Sequence, residues 1–187
     1  MQTSLSWLNR LQSSGAAADW EQLAARYRPL LSGWISRAGV PQSDQDDLIQ
    51  SVMMVVVRRL PDFEHRHVGA FRGWLRSILA NVLSEYFRRH QSTTPQVPIN
   101  TLVDPQSDLS KLLDHEHDLF ITTHVLRIAR GDFRESTWQA FELQVIHNRT
   151  ARETAAELSI THNAAIKAKS RVLARLREEL QFLLRGQ

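Results

Sequence analysis

Apolar residues recur at three- and four-residue steps along most of the chain, which is the period of an amphipathic helix. The first such stretch runs from about Asp19 to Arg37, through Trp20, Leu23, Ala24, Tyr27, Leu30, Leu31, Trp34 and Ile35. Pro29 falls inside it, where the missing N–H predicts a kink or a break. Gly39 and Pro41 close the stretch. Ser43-Asp44-Gln45-Asp46 then offers a cap-like residue and first-turn carboxylates for a second helix, which ends at Leu60 before Pro61. The middle of that helix is apolar on every side, as expected of a buried central helix. Val55-Val56-Val57 would also suit a strand, but its helical flanks argue against one. Residues 61–70 read as a loop. Phe71, Trp74, Leu75, Ile78, Leu79, Val82, Leu83, Tyr86 and Phe87 then form one wide stripe on a helix of about twenty residues.

From Gln91 to His117 the periodicity fades into Pro95, Pro98, Pro105 and many Ser, Thr and Asp residues, which reads as a flexible linker. Helical patterning returns around Asp118–Arg130, Thr137–Ile146, Ala151–Leu158 and Asn163–Leu184. Thr150-Ala-Arg-Glu153 has the form of a capping box. Ser159-Ile160-Thr161 makes a tight connection in which Thr161 can cap the last helix. A short helix, a three-residue turn and a longer basic helix together form the helix-turn-helix pattern. The expected fold class is therefore all-α. It has two small helical domains, over 1–90 and 118–187, joined by a flexible acidic linker over 91–117.

Composition narrows the function classes. The 187 residues include no cysteine, which removes disulfides, thiolate metal sites and a cysteine nucleophile. The longest strongly apolar run, Val52–Val57, is too short to span a bilayer, and the first residues do not form a secretory signal, so a cytoplasmic protein is expected. The net charge is only +3, and the positive side chains are nearly all arginine. Resolved along the chain, the net is −1 over 1–64, +4 over 65–90, −4 over 91–119 and +4 over 120–187. Two basic blocks around an acidic one suggest two surfaces for a polyanion, and arginine suits phosphates and guanine edges.

Each basic block has a candidate reading face. On the last helix the buried seam is expected at Ala165/Ile166, Val172/Leu173, Leu176 and Leu180. His162, Asn163, Lys167, Ser170, Arg171 and Ala174 then face outward with donors for bases and phosphates, while Lys169 lies nearer the seam. On the 71–90 helix the outer face carries Arg72, Arg76, Asn81, Ser84, Glu85, Arg88 and Arg89. This mixture suits a nucleic-acid backbone with a base edge, whereas Trp74 and Tyr86 belong to the core. Asp114-His115-Glu116-His117-Asp118 has metal-friendly side chains but not the spacing of a zincin, so no metal and no cofactor are expected. Walker, dinucleotide and nucleophile-elbow motifs are absent too, and no enzyme is expected.

The order of these features resembles a bacterial sigma factor, nearest to the small two-domain extracytoplasmic-function group of the sigma-70 family. The likeness rests on Asp46-Asp47-Leu48-Ile49-Gln50-Ser51-Val52, Phe71-Arg72-Gly73-Trp74-Leu75, Asn81 with Arg88-Arg89, and the closing run Lys169–Leu180. It implies that Asp47 and Gln50, with Asp44 and Asp46, dock on the clamp helices of core RNA polymerase. It also implies that the loop Asp62–Ala70 and Asn81 read a flipped −10 base while Arg72, Arg76, Arg88 and Arg89 hold phosphates. His162, Asn163, Lys167, Lys169, Ser170 and Arg171 would read the −35 duplex. The linker would thread the polymerase clefts, and an anti-sigma factor is an expected partner. Three positions depart from the family pattern: Ser51 replaces a frequent glutamate, Glu85 replaces aspartate, and Ser159 stands where glycine is common. Two alternatives remain: a stand-alone helix-turn-helix regulator, and a sigma-like decoy that binds an anti-sigma factor.

Overall fold

The computed structural model describes residues 17–64, 70–90 and 94–184. The described residues form seven α-helices and no strand: α1 Ala17–Arg37, α2 Gln42–Arg59, α3 Ala70–Arg89, α4 Asp108–Arg130, α5 Glu135–Val145, α6 Ala151–Glu157 and α7 His162–Leu184. Short 3₁₀ turns stand at Leu60–Asp62 and Ile99–Leu102. The protein is all-α, and its chain divides into two compact units, one ending at Ile121 and the other spanning Thr122–Phe182.

In the first unit α1 and α3 bury the stripes that their sequences predict, whereas α2, expected to be buried on every side, leaves Met54 and Val57 exposed. Leu23, Tyr27, Leu31, Trp34 and Ile35 meet Ile49, Val52 and Val56 of α2 and Phe71, Leu75, Ile78, Leu79 and Leu83 of α3, all nearly inaccessible to water. α1 runs through Pro29 without a break. Pro29 is exposed, as is Ala25, whose carbonyl lacks the N–H donor that a non-proline residue would supply, so the missing hydrogen bond faces solvent. α2 starts at Gln42, directly after Pro41, rather than at a Ser43 cap; the Ser43 hydroxyl instead donates to Asp44. Gly39 turns the chain at a φ of 90°, and a Cβ there would lie 2.6 Å from Cγ of Gln96. Glycine is thus needed both for the left-handed turn and for the close approach of residue 96.

That approach belongs to a departure from the expected flexible linker. Among the described residues of 91–117, Gln96 donates its backbone N–H to the Ala38 carbonyl, 2.9 Å away. Ile99–Leu102 packs on α3, and α4 begins at Asp108, ten residues ahead of the expected start at 118. Ser107 caps α4: its hydroxyl accepts from the Ser110 amide at 3.0 Å and donates to the Thr101 carbonyl. Leu102, Ser110, Leu113, His117 and Ile121 are buried. Pro98 precedes the 3₁₀ turn, and the Asp114 and Glu116 carboxylates face α3 and α1 rather than solvent.

The second unit contains the end of α4 with α5, α6 and α7. Val125, Ala129, Trp138, Phe141, Ala165, Ala168, Val172 and Leu176 are among its buried apolar residues. Gln144 ties two helices together, donating to the Ala140 carbonyl at 2.7 Å and to the Ala165 carbonyl at 2.9 Å.

Candidate nucleic-acid and protein interfaces

The helix-turn-helix is built as its sequence predicts. Thr150 Oγ1 accepts from the Glu153 amide at 3.2 Å, and Glu153 Oε2 accepts from the Thr150 amide at 2.8 Å. The Thr150 backbone N–H and then the Thr150 hydroxyl, both donating to Glu153 Oε2, hold the Glu153 carboxyl below its ordinary value. Ser159 makes the turn at a φ of 53°, and Thr161 Oγ1 accepts from the Ala164 amide at 3.1 Å to start α7. On α7 the seam is Ala165, Ala168, Val172 and Leu176. Ile166, expected in that seam, is 43% exposed. Ile166 lies about 100° around the helix from Ala165 and nearly opposite Ala168, which puts it outside the seam that those two residues define. The Leu180 side chain lies outside the described residues.

His162, Asn163, Lys167, Ser170, Arg171 and Ala174 are all exposed along α7, and Lys169 is half-buried toward the seam. Lys167 and Arg171 make no ion pair among the described residues, so they carry unneutralised positive charge on the outward face. The arginines nearer the core differ: Arg175 pairs with Asp132 at 2.8 Å.

In the first unit the sequence-predicted docking residues fall into two pairs. Asp47 and Gln50 are exposed one turn apart on α2. Asp44 is engaged, accepting a 2.6 Å hydrogen bond from the Tyr86 hydroxyl. That bond, with help from Ser43 and His90, lowers its pKa. Asp46 pairs with Arg28 of α1. Ser51 donates to the Asp47 carbonyl at 2.9 Å, a bond within the helix that a glutamate could not make. Between α2 and α3 lies an open cleft of about 590 Å³, lined by Asp47, Ser51, Arg59, Asn81, Glu85 and Arg89 among others. Residues from the docking set and the −10 set therefore meet at one cleft, which the sequence did not foretell.

The −10 set is also divided. Asn81 is exposed, and so are Arg88 and Arg89, which both pair with Glu85 at 2.7 and 2.6 Å. The two arginines, Arg88 first, hold the Glu85 carboxyl below its ordinary value. Arg72 and Arg76, expected on the outer face, are not free there. Arg76 is buried, 2.9 Å from Asp114 and 2.6 Å from the Leu102 carbonyl to which it donates. Arg72 pairs with Asp114 at 3.4 Å and with Asp118. The far side of α3 is covered by the segment read as linker, so a charged position was taken for a solvent-facing one. Adjacent blocks of opposite net charge in the sequence were the signal for this pairing. In the predicted loop 62–70, residues 65–69 lie outside the described residues. At its start Phe63 meets half-buried Trp74, with ring centroids 4.8 Å apart.

Four of the five side chains of the metal-friendly run on α4 are engaged elsewhere, His115 being exposed. Glu116 accepts from Trp34 at 2.8 Å and from Arg37 at 2.7 Å, Asp114 and Asp118 serve Arg76 and Arg72, and His117 is buried 3.4 Å from the Tyr27 hydroxyl. Burial pushes the Tyr27 phenol pKa up. No described helix is long and apolar enough to cross a membrane.

Comparison with known proteins places one family on this framework. Residues 23–93 match the Sigma-70 region 2 family model, which covers α1 from Leu23, all of α2 and α3, and the chain just beyond. A solved structure of CnrH in complex with the cytosolic domain of CnrY is similar at 20% sequence identity and a TM-score of 0.38, covering 97% of this chain and 99% of that chain. No curated protein matches.

Proposed function

We propose that this protein is a sigma factor of the extracytoplasmic-function type, which binds core RNA polymerase and directs promoter recognition and opening. The match of residues 23–93 to Sigma-70 region 2 carries this reading. It falls on the unit that presents exposed acid and amide groups at Asp47 and Gln50 beside exposed Asn81, Arg88 and Arg89. The second unit supports it with a capped helix-turn-helix whose outward face holds His162, Asn163, Lys167, Ser170 and Arg171.

In this reading Asp47 and Gln50 dock on the polymerase, since both are solvated and at helical spacing for one contact patch. Asp44 and Asp46 support that patch through Tyr86 and Arg28. Asn81 is the polar group available to an unstacked base, and Arg88 and Arg89 lie about two turns further along α3 for its phosphates. The chain does no bond chemistry: it holds the polymerase at a promoter and stabilises opened DNA. An anti-sigma protein is the regulatory partner of the same reading.

Replacing Asp47 and Gln50 together by alanine tests the docking surface. Both side chains are exposed, so the thermal melt should be unchanged while affinity for purified core polymerase falls about tenfold or more. Unchanged affinity would place the docking surface elsewhere.

A further inference from the structure

The acidic block and a basic helix, separate in sequence, are joined in the folded first unit. Asp114, Glu116 and Asp118, within a five-residue stretch of α4, engage three arginines from two other helices. Arg37 of α1 holds Glu116 through both nitrogens, at 2.7 and 3.2 Å. Arg72 of α3 bridges Asp114 and Asp118, and Arg76 of α3 meets Asp114 at 2.9 Å. The pairs are graded in depth. The Arg37 and Asp118 side chains are 37% and 55% exposed, and Arg76 only 7%. Exposed pairs of this kind are screened by salt and individually weak. The inner pair depends on the Leu102 carbonyl as well as on Asp114, so the Ile99–Leu102 turn and the start of α4 form one strap.

Closely spaced carboxylates offer arginine what a phosphodiester backbone offers: anionic oxygens matched to the guanidinium fork. We propose that Arg37, Arg72 and Arg76 form a masked binding face for the phosphate backbone of single-stranded DNA, and that the first half of α4 occupies it as an intramolecular competitor. The inference rests on the DNA-binding reading above and adds its regulation. With the strap in place Asn81, Arg88 and Arg89 remain open to DNA while Arg37, Arg72 and Arg76 are engaged. Displacing the strap adds three cations, and binding DNA strongly requires its release.

A full-chain variant carrying Asp114→Asn, Glu116→Gln and Asp118→Asn removes the competing charges. Its affinity for a short single-stranded oligonucleotide, read by fluorescence anisotropy over a salt series, should rise about tenfold with a steeper salt dependence. A control with Glu21→Gln, Glu135→Gln and Glu178→Gln, all exposed and outside the strap, has the same net charge and should show no such gain. Equal affinity in variant and wild type, or an equal gain in the control, overturns the proposal. The unaltered protein gives an independent reading that does not depend on how the variant folds. Lys111 lies on the strap and is one of three lysines in the chain. Adding the oligonucleotide should speed lysine-specific cleavage after Lys111, and an unchanged or slower rate overturns displacement. Should the sigma reading fail, the variant would still bind DNA more tightly while giving no polymerase-dependent activity; should the strap fail, core binding would stand.

Discussion

Ser159 holds a φ of 53° in the turn between α6 and α7, a left-handed conformation that disfavours any residue with a Cβ. Glycine there would relieve about 1–2 kcal/mol of strain at an entropic cost of about 0.5–1 kcal/mol. Ser159→Gly should therefore stabilise the second unit slightly, by about 0.5–1 kcal/mol in urea unfolding, and a loss of stability would mean that the serine side chain supports the turn. Local chemistry of this kind is legible in sequence. The Thr150–Glu153 box and the Thr161 cap follow from hydrogen bonds that reach three residues along the chain. Arg76 was not legible in the same way: its partners, Asp114 and the Leu102 carbonyl, lie well beyond the reach of helical spacing. A charged residue opposite an apolar stripe reads as exposed unless a second layer covers it. Ile166 shows the reverse case, an apolar residue expected in the seam that lies exposed beside it.

α4 shows why an element can be hidden although its period is present. Leu113, His117, Ile121, His124 and Val125 are buried at three- and four-residue steps, but two of these positions are histidines, which a scan for apolar residues passes over. The Ser107 cap was available as a signal and was outweighed by the nearby prolines. The Asp118 carboxyl is held below its ordinary value of 3.8, first by the neighbouring His117, whose Nδ1 lies 3.7 Å away, and then by Arg72. A lowered carboxylate contributes its stabilisation above the unfolded value and loses it as pH falls through the folded one. Docking of α4 through Asp118 is therefore complete at neutral pH and weakens only below the ordinary aspartate range. α7 carries the opposite chemistry, an outward face whose Lys167 and Arg171 are unneutralised among the described residues. Replacing both by alanine should weaken duplex binding and reduce the slope of log affinity against log salt by about two. A slope equal to that of the wild type would move the reading face off α7.

At the scale of the molecule, a net charge of +3 conceals surfaces of opposite sign with different tasks. The acidic start of α2 presents Asp47 and Gln50, α3 ends in Arg88 and Arg89, the acidic half of α4 is spent on arginines of its own unit, and α7 offers free cations. In the proposed reading these surfaces touch a polymerase and two stretches of DNA at once, whereas a stand-alone regulator would meet duplex DNA alone. The most direct measurement is run-off transcription with purified core RNA polymerase on a library of candidate promoters. The account predicts discrete start sites that appear only when this protein is added to core and that are lost in the Asp47→Ala, Gln50→Ala variant. Start sites no different from those of core alone, with the protein folded and present in excess, would contradict it.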